Sequence, residues 1–266
     1  MDNRPIGIFD SGLGGLTCVS PIKKALPNES IVYFGDTART PYGSKSPETI
    51  RHFALQIADF LAKNDAKALV IACNTISAIA IPELEKAFPE LPVIGIIDSA
   101  AEEIAKTCTS KDSIGIIGTK ATIKSKAYKN AVESMSRGLS IYQMACPAFV
   151  SLIEEGIIEN QIMDLTIRYY LDNFVKYHDL STLVLGCTHY PLIRENIERI
   201  YPELRIINPS DCLAHAVAQT LSEEGLLADG SSVQNTFYAS DLSENFVNMI
   251  NRIDTEDQIN ISLKKF

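Results

Sequence analysis

Short apolar runs alternate along the first hundred residues with segments whose apolar positions recur at helical spacing. Ile6 to Phe9, Ile31 to Phe34, Leu69 to Ile71 and Val93 to Ile97 are too short for helices and rich in branched side chains, so they predict buried strands. Between the second and third runs, Ile50, Phe53, Ala54, Ile57 and Leu61 form one helical stripe. Ser46 stands before it as an N-cap, and Pro47 takes the first helical position, where an N–H would have no partner in any case. A second series follows at Ile114 to Ile117, Ser140 to Met144, Leu183 to Leu185 and Arg205 to Ile207, with helical segments between. Such alternation predicts an α/β fold with largely parallel sheets.

The two series also resemble each other. Ala68-Leu-Val-Ile-Ala-Cys73 parallels Thr182-Leu-Val-Leu-Gly-Cys187 at an offset of 114 residues, and Phe88-Pro-Glu-Leu91 parallels Tyr201-Pro-Glu-Leu204 at 113. Ile6-Gly-Ile8 against Ile114-Gly-Ile116, at 108, is a match that strand composition alone produces. The Pro-Glu-Leu match is not of that kind and favours a duplicated unit. No Gly/Ser-rich linker separates the halves, so the boundary near Ile97 predicts a short crossover and an extensive interface.

Composition narrows the function. With 266 residues, 46% hydrophobic and 21% charged, the chain can bury one large core or two smaller ones. Its 33 acidic residues against 24 basic ones give a net charge of −9, which argues against a nucleic-acid partner. The first residues carry no signal pattern and the longest apolar run, Ala68 to Cys73, is too short to cross a bilayer, so a cytoplasmic protein without membrane contact is expected. Six cysteines, Cys18, Cys73, Cys108, Cys146, Cys187 and Cys212, have no close pair and read as free thiols.

Cys73 and Cys187 each follow a strand run immediately, where ligands gather in parallel α/β sheets. If the halves face each other, two thiols flank one cleft. Inverting a stereocentre by proton transfer requires removal from one face and delivery to the other, and two opposed thiols with an ordinary pKa of ~8.5 suit that task. A single cysteine is more often a small buried hydrophobe, the reading given to the other four. Asn74-Thr75 and Thr188-His189 add hydrogen-bonding groups at the same strand ends, although Asn74 and Thr75 also fit helix capping. Asp10-Ser-Gly-Leu-Gly-Gly15 lacks the glycine spacing of a dinucleotide loop and reads as a tight turn presenting Asp10 and Ser11. Cys187 and His189 have no second pair at metal-ligand spacing, so no metal is expected. A two-lobed binding protein without chemistry and a thiol-redox protein remain open alternatives.

Taken in order, Asp10-Ser-Gly-Leu-Gly-Gly15, Asp36-Thr-Ala-Arg-Thr-Pro-Tyr-Gly43, Ala72-Cys-Asn-Thr75, Gly118-Thr-Lys-Ala-Thr122 and Gly186-Cys-Thr-His-Tyr-Pro191 closely resemble the glutamate racemase family, nearly end to end. The resemblance implies an isomerase that interconverts L- and D-glutamate with no cofactor and no metal, and that supplies D-glutamate for bacterial peptidoglycan. It implies Cys73 and Cys187 as the proton-transfer pair, with Asp10, His189 and Glu154 assisting; Glu155 beside Glu154 leaves that last assignment less secure. Ser11, Pro41, Tyr42, Gly43, Asn74, Thr75, Thr119, Thr122 and Thr188 would form the substrate shell together with Asp10 and His189. Ser151 stands where the family commonly has proline, which predicts a looser helix start near Glu154. The implied fold is two pseudo-symmetric α/β domains with the active site in the cleft between them, residues 1–97 plus 208–266 forming the first and 98–207 the second. Val233 to Tyr238 and Gln258 to Leu263 are strand-like and need a sheet to join. A homodimer is expected. Superfamily members acting on aspartate, a hydantoin or maleate would keep both cysteines.

Overall fold

The computed structural model describes residues 1–136, 138–231, 233–253 and 260–266. In chain order the elements are β1 (Ile6–Asp10), α1 (Leu16–Ala25), β2 (Ile31–Gly35), α2 (Pro47–Lys63), β3 (Ala68–Ile71), α3 (Asn74–Ala87), β4 (Val93–Gly95) and α4 (Ile96–Thr107). Then come β5 (Ser113–Gly118), α5 (Lys120–Ser125), α6 (Ala127–Met135), β6 (Ser140–Ala145), α7 (Pro147–Glu154), α8 (Gln161–His178), β7 (Thr182–Gly186), α9 (Arg194–Ile200) and β8 (Arg205–Ile207). The chain closes with α10 (Pro209–Glu223), β9 (Asn235–Ala239), α11 (Glu244–Ile253) and β10 (Asn260–Leu263).

These elements build two sheets in which every pairing is parallel. One has the order β10-β9-β2-β1-β3-β4 and the other β6-β5-β7-β8. The order β2-β1-β3-β4 repeats as β6-β5-β7-β8, so the duplicated sequence is a duplicated topology, and the weak Ile6/Ile114 match falls on the corresponding strands β1 and β5. The first sheet is completed by β9 and β10 from the end of the chain; Gln258 and Ile259, at the start of the expected last strand, lie outside the described residues. The chain leaves β1 toward β2 on one side and later returns to β3 on the other. The same reversal occurs at β5 between β6 and β7. Each sheet therefore has a crevice at its switch point, beyond the ends of β1 and β3 and of β5 and β7.

Alternating side chains fill separate layers. Ile6, Ile8 and Val70 join Leu16, Val19, Ile104, Val217, Ile114, Ile116 and Val184 in one cluster that runs through α1, α4 and α10 from sheet to sheet. Phe9, Leu69 and Ile71 face the other way against Ile57 and Leu61 of α2, while Ile117 and Leu185 pack on Phe149 and Leu171 of α7 and α8. The halves share a core, as the missing linker predicts.

Three local expectations meet the structure differently. Ser46 caps α2 by accepting the Thr49 N–H at 3.2 Å, with Pro47 opening the helix as read. Val93 to Ile97 is not one strand: β4 stops at Gly95, and Ile96 and Ile97 begin α4, both buried. Full burial on both sides of Gly95 erases the periodicity that would have marked the change. Near Ser151, α7 starts four residues earlier, at Pro147, so a proline already opens the helix and Ser151 lies exposed in its middle.

Candidate active site

Both switch-point crevices open toward one another, and the residues at their edges line a single cavity. From β1 and the loops of the first sheet come Ser11, Thr40, Pro41, Tyr42 and Gly43, and from the start of α3 come Cys73, Asn74 and Thr75. Facing them stand Thr119 after β5, Val150 of α7, and Cys187, Thr188 and His189 after β7. Cys73 and Cys187, 114 residues apart in sequence, thus border the same space, both buried. The cavity leaves about 10 Å³ to the centre of a water-sized sphere, room for about one water.

Glycines let the turn after β1 press against the opposite half. A Cβ on Gly14 would sit 2.5 Å from His189 Nδ1 and 2.6 Å from Thr188 Oγ1, and one on Gly15 would lie 2.3 Å from the Asp10 Cβ. Close approach, not phosphate binding, is what Asp10-Ser-Gly-Leu-Gly-Gly15 provides. Asp10 is buried behind the cavity wall, where its carboxylate accepts the Gly12 N–H at 2.9 Å and the Thr188 hydroxyl at 3.1 Å. Burial raises its pKa above the ordinary carboxylate value, against the opposing charge of His189.

The two thiols have unlike surroundings. Cys73 donates to the Ser11 hydroxyl at 3.4 Å, and burial together with the Asp10 charge pushes its thiol well up. Cys187 instead faces an imidazole: His189 Nδ1 lies 3.9 Å from its sulfur, and His189 Nε2 is 2.6 Å from Glu154 Oε1. Burial pulls the imidazole pKa down, but the bonds to Cys187 and Glu154 outweigh it and hold His189 up at about 10. Glu154, His189 and Cys187 form a chain in which a carboxylate orients a cationic ring beside a sulfur. Glu155 is exposed, so the structure resolves which of the adjacent acids reaches His189.

Hydrogen-bonding groups ring the cavity. Thr75 and Thr119 hydroxyls are 3.0 Å apart, and Thr122, set behind them, is 3.0 Å from Thr119 and 3.4 Å from Thr75. Asn74 accepts the Tyr128 hydroxyl at 2.6 Å, which leaves its amide Nδ2 a buried donor without a partner among the described residues. Tyr42 donates to the buried carboxylate of Asp36, which also takes the Arg39 Nε at 2.6 Å and the Ser240 hydroxyl at 2.7 Å. That anchor fixes the Pro41-Tyr-Gly43 wall.

Eleven of the expected residues border the cavity, while Asp10, Glu154 and Thr122 stand behind it and touch residues that do. Thr40, Val150 and Tyr128 were not singled out from sequence. Thr40, which donates to the Ser11 carbonyl, adjoins Pro41 in a quoted motif; Val150 and Tyr128 carried no signal. Among the described residues no group of three or more His, Cys, Asp or Glu side chains is placed to hold a metal ion, and no helix is long and apolar enough to cross a membrane.

Known proteins resemble this chain in sequence and fold. Residues 15–217 match the family model described as Asp/Glu/Hydantoin racemase, and the chain belongs to that family of isomerases. A glutamate racemase of Geobacter metallireducens is 44% identical over 251 residues, 94% of this chain and 92% of the relative. One from Sulfurihydrogenibium is 48% identical over 207 residues, 77% of this chain and 78% of its own length. The crystal structure of glutamate racemase from Francisella tularensis in complex with D-glutamate superposes with a TM-score of 0.91 at 38% identity, covering 100% of this chain and 98% of the other. Within the family the chain groups with the glutamate racemases.

Proposed function

We propose that this protein racemises glutamate by two-base proton transfer, with Cys73 and Cys187 acting on opposite faces of the α-carbon. The observation that carries the reading is that both sulfurs border one cavity, each with its own polar assistant. One sulfur takes the α-proton while the opposing thiol delivers another, and the roles exchange for the reverse direction. On the Cys187 side, cationic His189, oriented by Glu154, offsets negative charge as the sulfur gives up its proton. On the Cys73 side, burial and Asp10 favour the neutral thiol, suited to donate. A substrate ammonium group close to Asp10 would lower that barrier to ionisation.

The free Asn74 amide and the hydroxyls of Thr75, Thr119 and Thr188 are the donors for the substrate carboxylates. Because the closed cavity has room for about one water, glutamate enters only when the two lobes, 1–97 with 208–266 and 98–207, part. Water exclusion on closure then strengthens each polar contact. In this reading the enzyme works in the cytoplasm as a homodimer, needs no cofactor, and supplies D-glutamate to peptidoglycan. The similarity to glutamate racemases, one of them held in complex with D-glutamate, supports glutamate as substrate.

The test is loss of optical rotation from L-glutamate without added cofactor, run beside L-aspartate. Cys73→Ser and Cys187→Ser are each expected to lose at least about 100-fold in turnover. Unreduced turnover in either variant overturns the two-thiol assignment, and preference for aspartate overturns the substrate.

A further inference from the structure

A second cavity, of about 600 Å³, opens beside the first. Its wall is formed by Gly43, Ser44 and Lys45, by Pro47 and Arg51 of α2, by Ala78 and Ile79 of α3, and by Lys120, Ala121, Lys124 and Ser125 of α5. It therefore spans the two halves of the molecule, next to the inner cavity. The two cavities meet at Gly43, which lines both, and a Cβ there would lie 2.5 Å from the Thr119 Cβ, the residue that lines the inner cavity next to Lys120.

The charge of this groove runs against that of the protein as a whole. On a chain of net charge −9, four cations converge on it and no acidic side chain among the described residues lines it. Arg51 is neutralised by Glu83 at 2.7 Å, with Glu48 also in its field. Lys45, Lys120 and Lys124 form no ion pair with any of the described residues, and Lys120 and Lys124 are exposed. Three unpaired like charges around one depression repel each other, so their arrangement stabilises nothing in the fold by itself. They favour an anion. The inner cavity beyond them offers threonine hydroxyls and the Asn74 amide but no lysine or arginine, although the proposed substrate carries two carboxylates.

We propose that this groove is the collecting site for the anionic substrate: Lys45, Lys120 and Lys124 concentrate the dicarboxylate next to the inner cavity and hold its field favourable once it is inside. The inference rests on the racemase reading above and adds to it the residues that draw the substrate in. Charges lining a low-dielectric cleft focus the potential on it and raise local substrate concentration, an effect that salt removes over a Debye length of ~8 Å at physiological ionic strength. The groove lysines thus act on KM and on kcat/KM, not on the proton transfer measured by kcat.

The test compares the wild-type chain with the triple variants Lys45→Gln/Lys120→Gln/Lys124→Gln and Lys45→Arg/Lys120→Arg/Lys124→Arg, assayed with L-glutamate from about 10 mM to 500 mM salt. Wild-type activity establishes the racemase reading independently of the variants. The glutamine variant is expected to raise KM about fivefold at low salt with kcat unchanged, to lose most of the salt dependence, and to converge on wild type at high salt. The arginine variant keeps the wild-type KM and salt dependence. An unchanged KM and salt slope in the glutamine variant overturns the inference, as does an arginine variant that behaves like the glutamine one.

Discussion

Glu154→Gln isolates the charge of the Glu154–His189–Cys187 chain from its geometry. Glutamine retains an acceptor at the position of Oε1, 2.6 Å from His189 Nε2, and the side chain is only 27% exposed, so solvent does little to replace the lost charge. A charge-assisted hydrogen bond contributes about 1.5–3 kcal/mol against about 1 for a neutral one. At 1.36 kcal/mol for each tenfold change in proton affinity, the imidazole releases its proton roughly one pH unit earlier. His189 is held at about 10 in the intact protein, so a step that needs the cationic ring persists through neutral pH and fails as pH rises through that value. In the variant the alkaline limb of kcat/KM moves acidward by roughly one pH unit, and turnover on the plateau falls about tenfold as the ring is held less firmly. Because the two enantiomers have equal free energy, kcat/KM must fall by the same factor in both directions. The assay is a pH profile from L- and from D-glutamate, read by circular dichroism. A plateau loss with an unmoved alkaline limb shows that Glu154 only braces the loop, and full activity with an unmoved limb refutes the chain altogether.

Gly14→Ala brings a methyl group to within 2.5 Å of His189 Nδ1, and displacing that ring by about 1 Å lowers kcat by about 100-fold while the far-ultraviolet spectrum stays unchanged. Near wild-type kcat in this variant contradicts the need for close approach. Lys67 is fully buried, 2.5 Å from Glu29 and donating to the carbonyls of Asp2 at 2.6 Å and Leu226 at 2.7 Å. Lys67→Met strands the Glu29 charge and is expected to cost about 3–5 kcal/mol, a fall of roughly 10 °C in the calorimetric midpoint, with kcat/KM at 25 °C preserved.

The sequence displayed the strands that end in Cys73 and Cys187 because a buried parallel strand is a short unbroken apolar run, and duplication displayed it twice. The Ser46-Pro47 start of α2 was legible for a different reason: capping chemistry is local. Legibility failed where burial is continuous or contact is distant. Ile96 and Ile97 are buried in a helix just as Ile94 is in a strand, so polarity did not mark the junction at Gly95. The strand read at Val233 to Tyr238 is present as β9 and only its start is displaced: Val233, 37% exposed, lies ahead of it, and the buried Asn235 begins it by accepting the Ile31 N–H on its side chain at 3.2 Å. Val150 looks like any core residue of α7, and only the packing of α7 on the Cys187 loop brings it to the cavity. The three unpaired lysines of the outer groove come from the loop before α2 and from α5, two places that no spacing rule connects.

Racemisation followed in heavy water tests the two-sulfur relay most directly. Starting from L-glutamate and sampling early, the D-glutamate formed is expected to carry deuterium at the α-carbon while the remaining L-glutamate stays protiated, since the sulfur that removes hydrogen is not the one that returns it. Deuterium entering L-glutamate as fast as D-glutamate appears, or D-glutamate retaining the original hydrogen, would mean one group working both faces and would rule out the two-sulfur relay.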